Sequence, residues 1–200
     1  MTVVRPSLRQ EQKYLTRRRI AEAARTCFYE TGIAETSIEQ IARVAGVGRA
    51  TLYLHFPNKD AILLELLSSN LRGVRGIYQE LGEMDAPDAA ALRRWLARYV
   101  GTLREHRLAM RLFHVGLAND PQARGLVDDH RDAIVDMLAA RFPRLGLGPD
   151  RDPRAHAHIV LLLARIDHLA SAAVEEEPRI DLNAGLDIVA EEMALLLARQ

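Results

Sequence analysis

Apolar residues return every three or four positions along most of this chain, and no strand-length run alternates apolar with polar. That period is helical. A first helix is expected from about Lys13 to Thr31, with Ile20, Ala24, Cys27 and Phe28 on its buried face and Gly32 to stop it. Two short helices follow. Ser37 caps the first, with Gln40 three residues on as its capping-box partner, and Ile38, Ile41, Ala42 and Ala45 form its apolar side. Gly46 sits where the chain must turn through a left-handed conformation. Val47 and Leu52 give the second short helix its own apolar side, and Phe56-Pro57 ends it. Asn58 then caps a long helix reaching about Gly82, striped by Ile62, Leu63, Leu66, Leu67, Leu71, Val74, Ile77, Tyr78 and Leu81.

Later helices are expected near 87–105, 107–118, 120–142, 153–176 and 182–199. Pro87, Pro121 and Pro153 fit first helical turns, and Asp120, Asp152 and Asp181 fit N-caps. The segment from Arg141 to Pro153, with two glycines and three prolines, reads as a loop. The sum is an all-α chain of about nine helices.

Ala42, Gly46 and Leu52, at i, i+4 and i+10, suit a helix-turn-helix: a small residue where the helices cross, a glycine in the turn, a large apolar residue to lock the second helix. An ordinary helical hairpin would serve as well on those three alone. The polar set tips the balance. Arg49, Thr51, Tyr53, His55 and Lys59 crowd onto and just beyond one very short helix, and each can donate to a phosphate or a base edge.

The run Ile41-Ala42, Ala45-Gly46-Val47, Thr51-Leu52-Tyr53, His55-Phe56 and Lys59 resembles the DNA-binding signature of the TetR family of bacterial transcriptional regulators. The motif covers about a quarter of the chain. Gly48 departs from it, standing where the family often has serine. The resemblance implies an N-terminal three-helix DNA-binding domain over residues 1–60, with 1–12 as a flexible arm, and a ligand-binding and dimerisation bundle over 61–200. It implies a dimeric regulator, a repressor in the usual case, that binds a palindromic operator and is released by a small molecule. By match to the motif, Tyr53, His55 and Lys59 hold phosphates, Arg49, Ala50 and Thr51 face the major groove, and Ser37 joins the DNA-facing set.

Net charge is zero, which alone would argue against a nucleic-acid binder. Its distribution reverses that reading: residues 1–60 hold ten Lys and Arg against six Asp and Glu, and residues 61–200 hold seventeen against twenty-one. Arg5, Arg9 and Lys13 are either a basic arm reaching DNA or a solvated tail; of Arg17, Arg18 and Arg19, one or two could touch phosphates. Cys27 is the only cysteine, so no intrachain disulfide can form, as suits a reducing cytoplasm. No apolar run approaches the roughly 18 residues of a membrane span.

The last two helices are apolar on more than one side. Leu161, Ala164 and Ala172 lie opposite the main stripe of the helix near 153–176, and Ile188 and Leu195 lie off the stripe of the last helix. A helix wet on one side has no need of this, so a homodimer through these two helices is expected, with a larger internal core as the alternative. Resemblance also implies a ligand cavity among the middle helices. Its candidates are Trp95 and Tyr99, then Met110, Phe113 and His114, then His130 and Asp167, each with a core role as the blander alternative. No cofactor and no metal is called for: His156 and His158, two apart, diverge on a helix. The rival functions are a helical protein-interaction module and, further off, an enzyme, for which no nucleophile elbow or phosphate loop is present.

Overall fold

The computed structural model describes residues 7–105, 120–147, 152–175 and 177–198. Among the described residues are eight α-helices and no strand. They are α1 (Leu8–Thr31), α2 (Ile38–Val44), α3 (Arg49–His55), α4 (Lys59–Glu83), α5 (Ala89–Glu105), α6 (Pro121–Arg141), α7 (Pro153–Ala172) and α8 (Leu182–Ala198). A short 3-10 turn, Pro143–Leu145, lies within the expected loop. The helix expected over 107–118 lies outside the described residues. The chain divides into two compact units, Met1–Ser68 and Ser69–Gln200. The division falls within α4 rather than at its start.

In the first unit, α1 packs on α2 and α2 on α3. Ile20, Ala24, Cys27 and Phe28 of α1, Ile41 and Ala42 of α2, Ala45, Leu52 of α3 and Phe56 are all buried. Leu52 and Phe56 clamp α3 from its middle and its end, each worth about 1.5–3 kcal/mol of apolar burial. Residues 7–12, expected as part of a polar tail, instead open α1. Ser7 N donates to Gln10 Oε1 at 2.8 Å and Gln10 N donates to Ser7 Oγ at 3.3 Å, a complete capping box. No described residue before Ile20 is buried, so the first turns of α1 stand clear of the unit's core.

The second unit is built round an aromatic cluster. Tyr78 of α4 meets Trp95 and Tyr99 of α5 edge-on, with centroids 5.2 and 5.5 Å apart, while Trp95 and Tyr99 stack at 5.8 Å. Leu81, Leu92, Leu96, Ile134, Val135, Ile159, Leu163, Ile166 and Val189 complete its core. Helices α5, α7 and α8 pack on one another. Gly185 lets α8 come close to α7: a Cβ there would run into the Leu169 side chain. Glu192 of α8 takes His158 and Arg165 of α7. Pro121 and Pro153 stand at the first turns of α6 and α7, with Asp120 and Asp152 capping. Pro87 does not stand in a first turn. Asp88 caps α5 instead, accepting from Ala91 N at 2.7 Å, and Pro87 precedes that cap.

Candidate nucleic-acid interface

The α2–α3 pair is fixed by local rules. Ser37 Oγ accepts from Gln40 N at 3.1 Å and starts α2. Ala45 N donates to Ile41 O and Val47 N donates to Ala42 O, which consumes the last carbonyls of α2. Gly46 takes φ +63°, the left-handed conformation that reverses the chain at little steric cost. Gly48 caps α3 through its backbone conformation alone, with no side-chain hydrogen bond.

Two cations fasten this unit from behind. Lys59, at the first residue of α4, donates from Nζ to the carbonyls of Ile33, Ala34 and Thr36 at 2.6, 3.2 and 3.1 Å. An ammonium has three donors. All three are engaged, so the link between α1 and α2 is pinned to α4. The expectation that Lys59 holds a phosphate therefore needs revision: no donor is left for one unless a loop contact breaks. Arg17 does the corresponding work at the end of α3. Its Nη1 donates to His55 O at 2.6 Å, its Nε and Nη2 donate to Glu65 Oε2 at 2.8 and 2.6 Å, and its guanidinium lies 4.1 Å from the Phe56 ring centroid. Sequence reasoning left Arg17 undistinguished from Arg18 and Arg19. A signal was present, since Arg17 lies three, seven and eleven residues before Ile20, Ala24 and Phe28 of the buried stripe.

With those residues turned inward, α3 offers solvent a defined face. Arg49, Ala50, Tyr53 and Leu54 are exposed, Thr51 and His55 are half-buried, and Leu52 is inside. The Arg49 guanidinium pairs with Glu39 of α2 at 2.9 Å and lies 5.6 Å from the Tyr53 ring centroid. Glu39 thus holds the arginine extended along the face while leaving it exposed. Ser37, also exposed, spends an acceptor on its cap and keeps its hydroxyl hydrogen to donate. His55 Nδ1 is buried without a hydrogen-bond partner, and burial, with Lys13 and Arg17 nearby, lowers the imidazole pKa. In the free chain that shift favours the neutral ring, which can still donate a hydrogen bond.

The candidates of the second unit are placed differently. Trp95 is wholly buried and its Nε1 donates to Ile77 O at 2.9 Å. Tyr99 is buried and its hydroxyl donates to Asp167 Oδ1 at 3.2 Å; burial, with Tyr78 and Asp167 beside it, pushes the phenol pKa well above its usual value. His130 is 8% exposed, and its Nδ1 is buried without a hydrogen-bond partner. Burial first, then Arg75 and Arg131, pushes its pKa down to about 4. Met110, Phe113 and His114 lie outside the described residues. Among the described residues, no group of three His, Cys, Asp or Glu side chains is placed to hold a metal, and no helix is long and apolar enough to cross a membrane.

Two short helices joined through a left-handed glycine, the second locked by a buried leucine and presenting an arginine outward, define a helix-turn-helix unit. The profile of the bacterial regulatory proteins of the tetR family matches residues 20–66. An uncharacterised HTH-type transcriptional regulator of Mycobacterium bovis is 31% identical over 150 residues, which cover 74% of this chain and 77% of that protein. The HTH-type transcriptional regulator EthR of Mycolicibacterium smegmatis is 27% identical over 152 residues, covering 74% and 70%. A solved transcriptional regulator from Rhodococcus sp. RHA1 superposes with a TM-score of 0.69 at 25% identity, over 90% of this chain and 95% of that one. The chain belongs to the TetR family. It is a helix-turn-helix transcriptional regulator that binds DNA, and not an enzyme.

Proposed function

We propose that this regulator is a ligand-released repressor, acting in the cytoplasm as a homodimer on a palindromic operator. One observation carries the DNA side of the reading: α3 buries Leu52 and turns Arg49, Ala50 and Tyr53 outward beside Thr51. Arg49 reads a guanine through its paired donors, and Ala50 and Thr51 approach neighbouring base edges. Ser37, Tyr53 and His55 reach phosphates by hydrogen bonds. Lys59 acts at one remove, by holding the link from α1 to α2. A helix of this length binds weakly alone. A two-fold dimer presents two, one DNA turn apart at about 34–36 Å.

The dimer surface is α7 with α8. Ala157, Leu161 and Ala164 on α7, and Ala184, Ile188 and Leu195 on α8, are exposed at helical spacing. Three of them are large and well out in solvent, Leu161 at 62%, Ile188 at 62% and Leu195 at 70%. Ala172, expected on this surface, is buried within its own chain and leaves it.

The effector enters the second unit. His130 and Asp167 offer it polar groups, and Trp95 and Tyr99 shape the wall from within the core, their own polar atoms already satisfied. Met110, Phe113 and His114 complete the proposed lining. The effector acts by favouring one arrangement of the dimer over another.

Selection from random duplexes tests the reading. Enrichment of a palindrome is expected, and Arg49→Ala is expected to lose about 1–3 kcal/mol of discrimination at one base pair per half-site. Unchanged base preference in Arg49→Ala would remove its reading role.

A further inference from the structure

The outward face of α3 is not uniformly polar. Leu54 is 81% exposed, more than any other large apolar side chain among the described residues of the first unit. It lies four residues after Ala50, so the two share one strip of the helix. Arg49 and Tyr53, also four apart, form the adjoining strip, and Thr51 lies beyond Ala50 on the other side. The middle of the exposed face is therefore apolar, with donors on both flanks. A single exposed leucine on a protein surface is ordinary. This one occupies the helix whose other exposed residues are Arg49, Ala50 and Tyr53, within the first 60 residues, where positive charge is in excess.

Resting on the DNA-binding reading above, we infer that Leu54 reads the 5-methyl group of a thymine in the operator. Among the groups that distinguish the bases in the major groove, the thymine methyl is the apolar one; the others accept or donate hydrogen bonds. A leucine flanked by base-reading donors gains burial against a thymine and leaves polar edges unsatisfied against the other bases. The occupant is duplex DNA, by charge complementarity with Arg49 and with the basic segment over residues 1–60.

The test uses the full-length protein and the duplex enriched by selection. Each thymine of a half-site is replaced in turn by deoxyuridine, which deletes the methyl and leaves the hydrogen-bonding edge intact. At one thymine or more, wild-type affinity is expected to fall about fourfold, the worth of one buried methyl-sized group. Leu54→Ala and Leu54→Gln are expected to bind thymine and deoxyuridine duplexes equally. Both should melt like wild type, because Leu54 makes no part of the core. Wild-type indifference to every replacement overturns the inference, and so does Leu54→Ala that keeps the discrimination. Failure of the underlying reading looks different: selected and scrambled duplexes would bind alike before any methyl is removed, and both readings would fall.

Discussion

Two regions leave large apolar side chains in water, and their surroundings differ. On α3, Leu54 and Tyr53 stand beside Arg49, with Glu39 holding the arginine in place. On α7 and α8, Leu161, Ile188 and Leu195 stand among Ala157, Ala164 and Ala184. Composition separates what each surface meets. A face of mixed donors and one apolar spot suits a polymer whose groove mixes polar edges with methyl groups. A face led by leucine, isoleucine and alanine, with Arg165, His168 and Glu191 exposed on the same helices, suits another face like itself. Inward the two units are more alike: each encloses a histidine nitrogen without a hydrogen-bond partner, His55 in the first and His130 in the second, and in each a cation serves backbone carbonyls, Lys59 in the first and Arg141 in the second.

The strongest way to break the comparison is to charge the second surface. Leu161→Glu combined with Leu195→Glu is expected to give a monomer by light scattering. Operator affinity should drop at least about a hundredfold, because the second half-site loses its tethered partner. Leu54→Ala should remain a dimer. A double variant that stays dimeric would move the interface elsewhere.

His130 is the more deeply buried of these two histidines. In the unfolded chain its imidazole takes a proton near pH 6.5, and in the fold only near 4. The unfolded state therefore binds more protons between those values, and stability is full above pH 6.5 and lost as pH falls toward 4. Urea unfolding should show a loss of about 2 kcal/mol from this residue between pH 7 and pH 5. His130→Leu should flatten that slope. His55, also depressed, adds a change of the same sign in the first unit.

The smallest effect separates fastening from reading within the first unit. Lys59→Met strands three carbonyls and is expected to cost about 1–2 kcal/mol of stability. Arg49→Ala, at an exposed ion pair, should leave the melting temperature almost unchanged. Equal melting shifts for the two would erase the distinction.

The helix-turn-helix was legible because its determinants are local. Ser37, Gly46 and Leu52 act through hydrogen bonds, a backbone angle and burial that their spacing announces. The start of α1 was legible too, in Ser7 and Gln10, but polar composition and Pro6 suggested a tail. The engagements of Lys59 and Arg17 join residues 23 to 48 positions apart, and no spacing rule reaches that far. In the second unit, periodicity located the helices but could not tell an outward face from one covered by its own chain, as Ala172 shows. Nor could it tell whether Trp95 and Tyr99 had already found partners.

The anchoring of the α1–α2 link has a consequence for residue choice. The chain has two lysines among its 27 basic residues, and one of them is Lys59. Three carbonyl oxygens converging on a point suit a compact tripod, whereas a guanidinium spreads its hydrogens across a plane. Exchange of Lys59 for arginine, conservative by charge, would be a change of shape at a joint that admits one geometry.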